Sequence, residues 1–318
     1  ATAYTMAGFL GDIGGMAFTN CDNLSSITIS HSVTSIGALA FHGTPWLNNK
    51  PDGLVYINNV LYKYKGTMPE NTSVTIADGT VSISGEAFDM CTGLTSITIP
   101  SSVTSIGNTA FSMCQNLLSV VIPEGVTSIG YSTFKYCTSL QSITIPSSVK
   151  NINDEAFYGC SSLREITLPE GLTSLGCGVF QECSSLYSVI IPNSVTDLCP
   201  SLFLNSGVSE VHLPDSLAEI PEYMFYGCSG LYSVNIPEKV THISDYAFAN
   251  TGLYLDLPAH VTSIGNHAFE NTRSITFTNN ITSIGDYAFY WCGFLNSLPN
   301  KLEHIGEYAF SGTSFSQP

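Results

Sequence analysis

Basic side chains are scarce here: nine Lys plus Arg stand against 25 Asp plus Glu in 318 residues, a formal net charge of −16. Nucleic acid and anionic lipid both require a concentrated basic face, so this balance argues against either as a partner. The acidity itself accounts for solubility. Charged residues of both signs are only 11% of the chain, so its solvent-facing polar groups must come largely from Ser, Thr and Asn. No apolar run approaches the roughly 18 residues of a transmembrane helix. Neither C-x-x-C nor H-E-x-x-H occurs, and G-x-S-x-G, a P-loop and a Rossmann glycine fingerprint are also missing. No redox, zinc, hydrolase or nucleotide chemistry is therefore indicated, and we expect neither an enzyme nor a cofactor. The opening ATAYTMAGFLGDIGG has no basic leader region, and the closing FSQP has no anchor signal. The chain reads as a mature or cut form rather than an intact precursor.

What the sequence has in abundance is one phrase. SITIPSSVTSIGNTAFSMC at 96–114 is followed by SVVIPEGVTSIGYSTFKYC and then SITIPSSVKNINDEAFYGC. Its phenylalanine recurs at Phe18, Phe41, Phe88, Phe111, Phe134, Phe157, Phe180, Phe203, Phe225, Phe248, Phe269, Phe289 and Phe310. The usual spacing is 23, shrinking to 20–22 towards the end, with one gap of 47. A period of about 20 to 29 residues with Leu or Ile at fixed offsets is that of a leucine-rich-repeat solenoid. S-I-T-I alternates polar and β-branched residues, which predicts a strand with Ile97 and Ile99 inward and Ser96 and Thr98 outward. Pro100 ends that strand because it has no N–H to donate. Val103 to Ile106 is a second short extended segment, glycine then turns the chain, and x-x-A-F-x-x-C has room for one helical turn. Asp154 and Glu155 suit the start of such a turn, where acids favour the helix dipole. Because no coil buries its apolar side alone, the coils must stack, with successive strands about 4.8 Å apart. The expected fold is a mostly β leucine-rich-repeat solenoid with short helical turns. It forms one domain over 1–318, a curved right-handed parallel stack of about thirteen coils, on the order of 60 Å long.

The complete pattern, L-x-x-I-x-I-P followed by V-x-x-I-G-x-x-A-F-x-x-C, resembles the BspA-like leucine-rich repeats from about Leu10 to Thr313. That resemblance implies a secreted or cell-surface protein of bacterial or protist type that adheres to matrix proteins, other cells or glycans. The alternative is a spacer or assembly rod with no specific ligand, suggested by the uniform Ser/Thr face.

Eight of the ten cysteines lie three residues after an anchor phenylalanine: Cys21, Cys91, Cys114, Cys137, Cys160, Cys183, Cys228 and Cys292. Other coils put Thr44, Ser206, Thr251, Thr272 or Thr313 there. A column that accepts Cys, Thr and Ser asks for a small buried residue with one polar atom, since threonine cannot replace half of a disulfide. The ladder is therefore expected to be reduced. Cys177 and Cys199 lie off it, at nearly matching registers of adjacent coils; a bridge and a pair of core thiols both fit.

Between Phe41 and Phe88 one ordinary coil accounts for Ser73 to Phe88, leaving an insertion of about 24 residues within 42–70. Val55-Tyr56-Ile57 and Val60-Leu61-Tyr62 flank Asn58-Asn59, which predicts a β-hairpin with a two-residue turn. Its aromatics Trp46, Tyr56, Tyr62 and Tyr64 would either grip a partner or cover an edge of the stack.

Solenoids bind through columns of equivalent exposed positions. The outward strand column reads Thr28, Thr75, Thr98, Val121, Thr144, Thr167, Ile190, His212, Asn235, Asp256, Thr276. It is monotonous at first and varied from Ile190 to Asp256. Glu165, Glu210 and Tyr254 lie beside it, and Tyr187 and Tyr232 follow the leading leucines. The candidate ligand-binding set is accordingly Glu165, Thr167, Tyr187, Ile190, Glu210, His212, Tyr232, Asn235, Tyr254 and Asp256. A second column, Tyr223, Tyr246, His267, Tyr287 and Tyr308, is either a stacking strip or a ladder that covers the shorter coils. The seven histidines are scattered; His242 and His304 share a register three coils apart, roughly 15 Å, too far for one metal. Neither end shows a cap, so weak end-to-end self-association is expected.

Overall fold

Backbone pairing follows the repeat coil by coil. In the computed structural model, residues 2–6 and 11–315 are described; Leu10, where the repeat pattern begins, lies outside them. The chain divides into two compact units, Ala1–Phe157 and Tyr158–Pro318.

In the first unit the S-I-T-I segments pair in parallel: Thr2–Met6 with Leu24–Ile29, Thr72–Thr75 with Leu94–Thr98, and Ser119–Val121 with Ser142–Thr144. The V-T-S-I segments form their own parallel pairs, such as Ser82–Ile83 with Ser105–Ile106. In the second unit Ser188–Ile190, Glu210–His212 and Ser233–Val234 form one parallel sheet. Tyr254–Asp256 begins another, and five two-residue strands from Glu219–Ile220 to His304–Ile305 form a third. The alternation is as the residue types dictate. Val120 and Ile143 are buried while Val121 and Thr144 face out; Ile97 and Ile99 are half-buried, Ser96 and Thr98 exposed. The proline after the strand closes the turn by accepting the N–H of the valine or leucine three residues on, as Pro100 does from Val103 at 3.1 Å, Pro237 from Val240 at 3.0 Å and Pro169 from Leu172 at 2.9 Å.

The third side of each coil departs from the helical turn anticipated there. Around Phe111, the amides of Thr109, Phe111 and Met113 donate to carbonyls of the next coil (Tyr131, Thr133 and Lys135, 2.7–3.0 Å). The intervening amides of Ala110, Ser112 and Cys114 bond back three residues within the coil. Every second N–H thus joins the stack, so the whole girdle of backbone donors is satisfied without helix. The geometry requires left-handed backbone two residues before and two after the anchor, with φ of 55° at Thr109 and 56° at Met113. Glu155, expected at a helix start, sits at φ 55° and pairs instead with Lys135 at 2.6 Å and Ser132 at 3.1 Å. The repeat glycine also has a different purpose from the one expected. Gly107 has no positive φ; a Cβ there would run into the backbone of Gly85 in the preceding coil. Close approach, not turn conformation, selects it.

Anchor phenylalanines fill the interior between coils. Phe88, Phe111, Phe134 and Phe157 stack at 5.3–5.6 Å with rings nearly parallel, and Phe203, Phe225, Phe248, Phe269 and Phe289 do the same at 5.2–5.6 Å in the second unit. Each is fully buried, which favours the folded state by roughly 1.5–3 kcal/mol per ring before the cost of ordering it. The thiols alongside bond to carbonyls of these rings' residues: Cys114 Sγ donates to Phe88 O and Cys137 Sγ to Phe111 O, both at 3.1 Å. Thr44, Thr251 and Thr272 in the same column donate to their own coil's phenylalanine carbonyl at 2.7–2.8 Å. Column chemistry is therefore that of a small buried donor. Cys21 is the exception. It is exposed. Cys177 and Cys199 are joined in a disulfide between adjacent coils, with Cα atoms 4.7 Å apart.

The insertion is not a flap on an edge. Gly53–Ile57 and Val60–Lys65 form the antiparallel hairpin, turning at Asn58 (φ 50°). Its second strand then pairs in parallel with Ser82–Ile83, placing Val60 and Leu61 opposite Ser82 and Ile83. Val81 donates to Asn59 O and Ser84 to Leu61 O, the same bonds that Thr104 and Gly107 make to Val81 and Ile83. The insertion thus supplies a coil of its own, one more turn than the phenylalanines count. A four-residue helix, Pro45–Asn48, capped by Thr44, leads into it.

Candidate binding face

All ten candidate residues fall in the unit Tyr158–Pro318, on or beside its strand surface. Parallel register sets Ile190 opposite His212 and Asp256 opposite Thr276. In the neighbouring column, Glu165 bridges to Ser188, Ser188 faces Glu210, and Glu210 faces Ser233. Tyr254 occupies that column too, opposite Ser274. Strand alternation therefore points these side chains outward, because Ile166, Val189, Val211 and Val234 take the buried positions between them.

Four of these side chains expose large apolar surface: Tyr187 57%, Ile190 67%, Tyr232 51% and Tyr254 60%. Tyr187 and Tyr232 lie two coils apart, and their hydroxyls meet at 3.4 Å. The coil between them carries Ser209, a small residue that is buried and donates to Tyr187 O at 3.1 Å. The Tyr232 phenol is pushed above its usual range, first by the hydrogen bond and charge of Tyr187, then by burial and by Glu210. Glu210 is half-buried, with one carboxylate oxygen 3.7 Å from His212 Nε2. Thr167 is exposed between buried Ile166 and Leu168.

Two candidates are already engaged. Asn235 accepts the Leu213 N–H at 2.7 Å and donates to the Leu213 carbonyl at 3.2 Å, so its amide extends the sheet where the strand pairing stops. Asp256 accepts a hydrogen bond from Thr276. The sequence reading overlooked Arg273, whose guanidinium lies 5.9 Å from the centre of the Tyr254 ring. It also overlooked a shallow groove of about 350 Å³ lined by Ile190, Pro192, Asn193, His212 and Asp215. Asn193 and Asp215 close its rim with reciprocal bonds of 3.1 and 2.9 Å.

The flank carries the second aromatic column. Tyr223, Tyr246, His267, Tyr287 and Tyr308 stack in sequence at 4.4–5.0 Å between ring centres. Their faces are spent on one another, which fits the covering ladder rather than a strip open to a ligand. The hairpin aromatics are likewise engaged. Trp46 packs on Phe41 at 4.8 Å, Tyr64 lies against Phe88 at 6.5 Å, and the Tyr56 hydroxyl accepts the Ala77 N–H at 3.0 Å.

His242 and His304 do share one register column, with Ser263 and Ser283 between them, and His242 Nδ1 lies 2.7 Å from Ser263 Oγ. Among the described residues no group of three or more His, Cys, Asp or Glu is arranged to hold a metal ion, and no helix is long and apolar enough to cross a membrane.

Comparison with known proteins agrees with this geometry. The family model for the BspA type leucine-rich repeat region matches residues 4–65, 56–176, 150–274 and 254–317. A leucine-rich repeat protein from Bacteroides ovatus is 31% identical, with a TM-score of 0.69 over 76% of this chain and 73% of that one. A leucine rich cell surface protein from Faecalibacterium prausnitzii is 25% identical, with a TM-score of 0.50 over 99% and 88%. No curated protein matches the sequence. By its repeats, its parallel coils and this match along nearly its whole length, the chain belongs to the BspA-type leucine-rich repeat family.

Proposed function

We propose that the chain is a non-catalytic binding domain of a secreted or cell-surface protein, recognising protein or glycan through the strand face of the unit Tyr158–Pro318. The observation that carries this is the cluster of exposed Tyr187, Ile190, Tyr232 and Tyr254, contributed by three of four consecutive coils. A sheet surface that gains nothing from water-facing rings and isoleucine normally bears Ser and Thr, and clustered exposed apolar side chains mark contact sites. Two further points support the reading. The similar Faecalibacterium protein is described as a cell surface protein, and a Cys177–Cys199 disulfide suits an oxidising compartment.

The test is capture on glycan and matrix-protein arrays, followed by His212→Ala and Asp256→Ala. Both changes should weaken capture about fivefold or more, while the unfolding midpoint moves by no more than about 2 °C. Silence on both arrays would favour a spacer rod, a reading supported by the plain Thr75, Thr98 and Thr144 surface of the other unit.

A further inference from the structure

The tyrosine pair suggests the chemistry of the partner. Parallel register places Glu210 between Ser188 and Ser233, so Tyr187 and Tyr232, each one residue earlier, straddle the coil that carries Ser209 and Glu210. The small Ser209 lies buried between the two rings' coils, no side chain of its own coil separates the two hydroxyls, and the half-buried Glu210 follows it in sequence. The hydroxyl contact is long, 3.4 Å, and exposed, so parting the rings costs little. Two exposed aromatic side chains with a carboxylate on the coil between them are the elements that hold an ammonium or guanidinium group, through cation–π attraction and a charge-assisted hydrogen bond.

The molecule contains a filled version of half of this arrangement. Arg273 lies over Tyr254 and directs Nη1 at its hydroxyl, 3.5 Å away. Among the described residues no cation lies over Tyr187 or Tyr232, and Glu210 has only the His212 ring at 3.7 Å. Glu165 stands two coils from Glu210 in the same column, and the chain's net charge is −16. Arg164, exposed opposite Tyr187 on the preceding coil, is a basic residue at this edge; with Glu165, Glu210 and Asp256 against it the face is acidic on balance, which favours cations over sulfated or sialylated chains.

Resting on the function proposed above, we infer that the partner is a basic polypeptide segment, one Lys or Arg of which enters between Tyr187 and Tyr232 against Glu210. Further cationic side chains of the same segment would meet Glu165 and Asp256.

The full chain is passed over an immobilised Lys/Arg-rich peptide, its Gln-substituted counterpart and a neutral glycan panel, at low and high salt. The basic peptide should bind in preference to the Gln peptide, and the difference should shrink as salt rises. Glu210→Gln and the pair Tyr187→Ala/Tyr232→Ala should each weaken it about three- to tenfold or more. Tyr187→Phe/Tyr232→Phe, which keeps the rings, should bind within about twofold of the parent. All these positions face solvent, so an unchanged unfolding midpoint verifies folding. Equal capture of both peptides, or indifference to Glu210→Gln, overturns the inference. Capture of neutral glycans or uncharged peptide by this face, with no preference for the basic one, leaves the proposed function standing and this inference refuted. If nothing is captured at all, both fall.

Discussion

The Tyr62 hydroxyl accepts the backbone N–H of Phe41 at 2.9 Å, with the two rings edge to face at 5.6 Å. In an ordinary coil that N–H donates to a carbonyl of the next coil, as Phe111 does to Thr133. The inserted hairpin has no equivalent carbonyl there, and a phenolic oxygen takes its place. One side chain thus supplies both the packing of the missing anchor ring and the acceptor of the missing backbone.

Tyr62→Phe keeps the ring and removes the acceptor, leaving a buried amide unpaired. It should cost about 1–3 kcal/mol, and Tyr62→Ala about 3–5 kcal/mol. Denaturant unfolding measures both; a Phe variant as stable as the parent would mean that another acceptor reaches Phe41.

The thiol column predicts a pattern of tolerance. Cys137→Ser keeps a small donor to Phe111 O and should change stability by less than about 1 kcal/mol, whereas Cys137→Leu overpacks the site and should cost about 1–3 kcal/mol. Ser206 already occupies the column, buried and 3.4 Å from Cys228 Sγ. Equal losses for Ser and Leu would contradict this account of the column.

Thiol counting separates the bridge from the ladder. Of ten cysteines, eight should react after denaturation without reductant and ten after reduction. In the native protein Cys21 should react first, since it alone of the eight is exposed. Ten reactive thiols without reductant would refute the Cys177–Cys199 disulfide.

Burial pushes the thiols of Cys183 and Cys228 up to about 12 and that of Cys91 up to about 11, from 9.0. Because the folded values are raised, the ladder's contribution is fully present below the unfolded value near 9. It is lost progressively as pH rises towards 11–12 and ionisation of the unfolded thiols favours unfolding. Stability should fall over that window, and Cys183→Ser should flatten the fall. A decline just as steep in the Ser variant would assign it to other groups.

His267 is sandwiched between Tyr246 at 4.4 Å and Tyr287 at 4.8 Å, and its Nδ1 lies 2.6 Å from Glu270. His267→Ala removes two ring contacts and should cost about 1–3 kcal/mol. His267→Phe should retain more than half of that. Hydrogen exchange should show the loosening concentrated in coils 246–308; uniform loosening would argue against a ladder that acts locally.

The coils were legible in the sequence because their signals are local and repeated. Ile at fixed offsets, Pro100 after a strand and Phe111 before Cys114 each state one physical requirement, and the copies agree. The third side was misread because its left-handed positions bear residues as unsuited to that backbone as Leu39, Tyr136 and Tyr246 (φ 56–57°). Stacking and inter-coil hydrogen bonds override their preference; the recurring Gly and Asn two places after the anchor, at Gly43, Gly159, Asn205 and Asn250, were the available clue. Tyr62 was legible as a hairpin aromatic but not as the stand-in for an anchor ring, because a ring arriving from an insertion keeps no repeat spacing. On the candidate face, outward direction followed from alternation. That Asn235 is occupied by Leu213 did not, since an amide's partner one coil away, 22 residues back in the chain, leaves no mark in the local sequence.

The account's central claim is that the outward strand letters of the unit Tyr158–Pro318 meet the partner while the rest of each coil builds the stack. A paired alanine scan tests it most directly, with capture and thermal unfolding measured on the same samples. Substitutions at Tyr187, Ile190, Tyr232 and Asp256 should reduce capture with the unfolding midpoint held, and Thr98→Ala or Thr144→Ala should leave both unchanged. Capture that survives the first set, or is lost with the second, would contradict it.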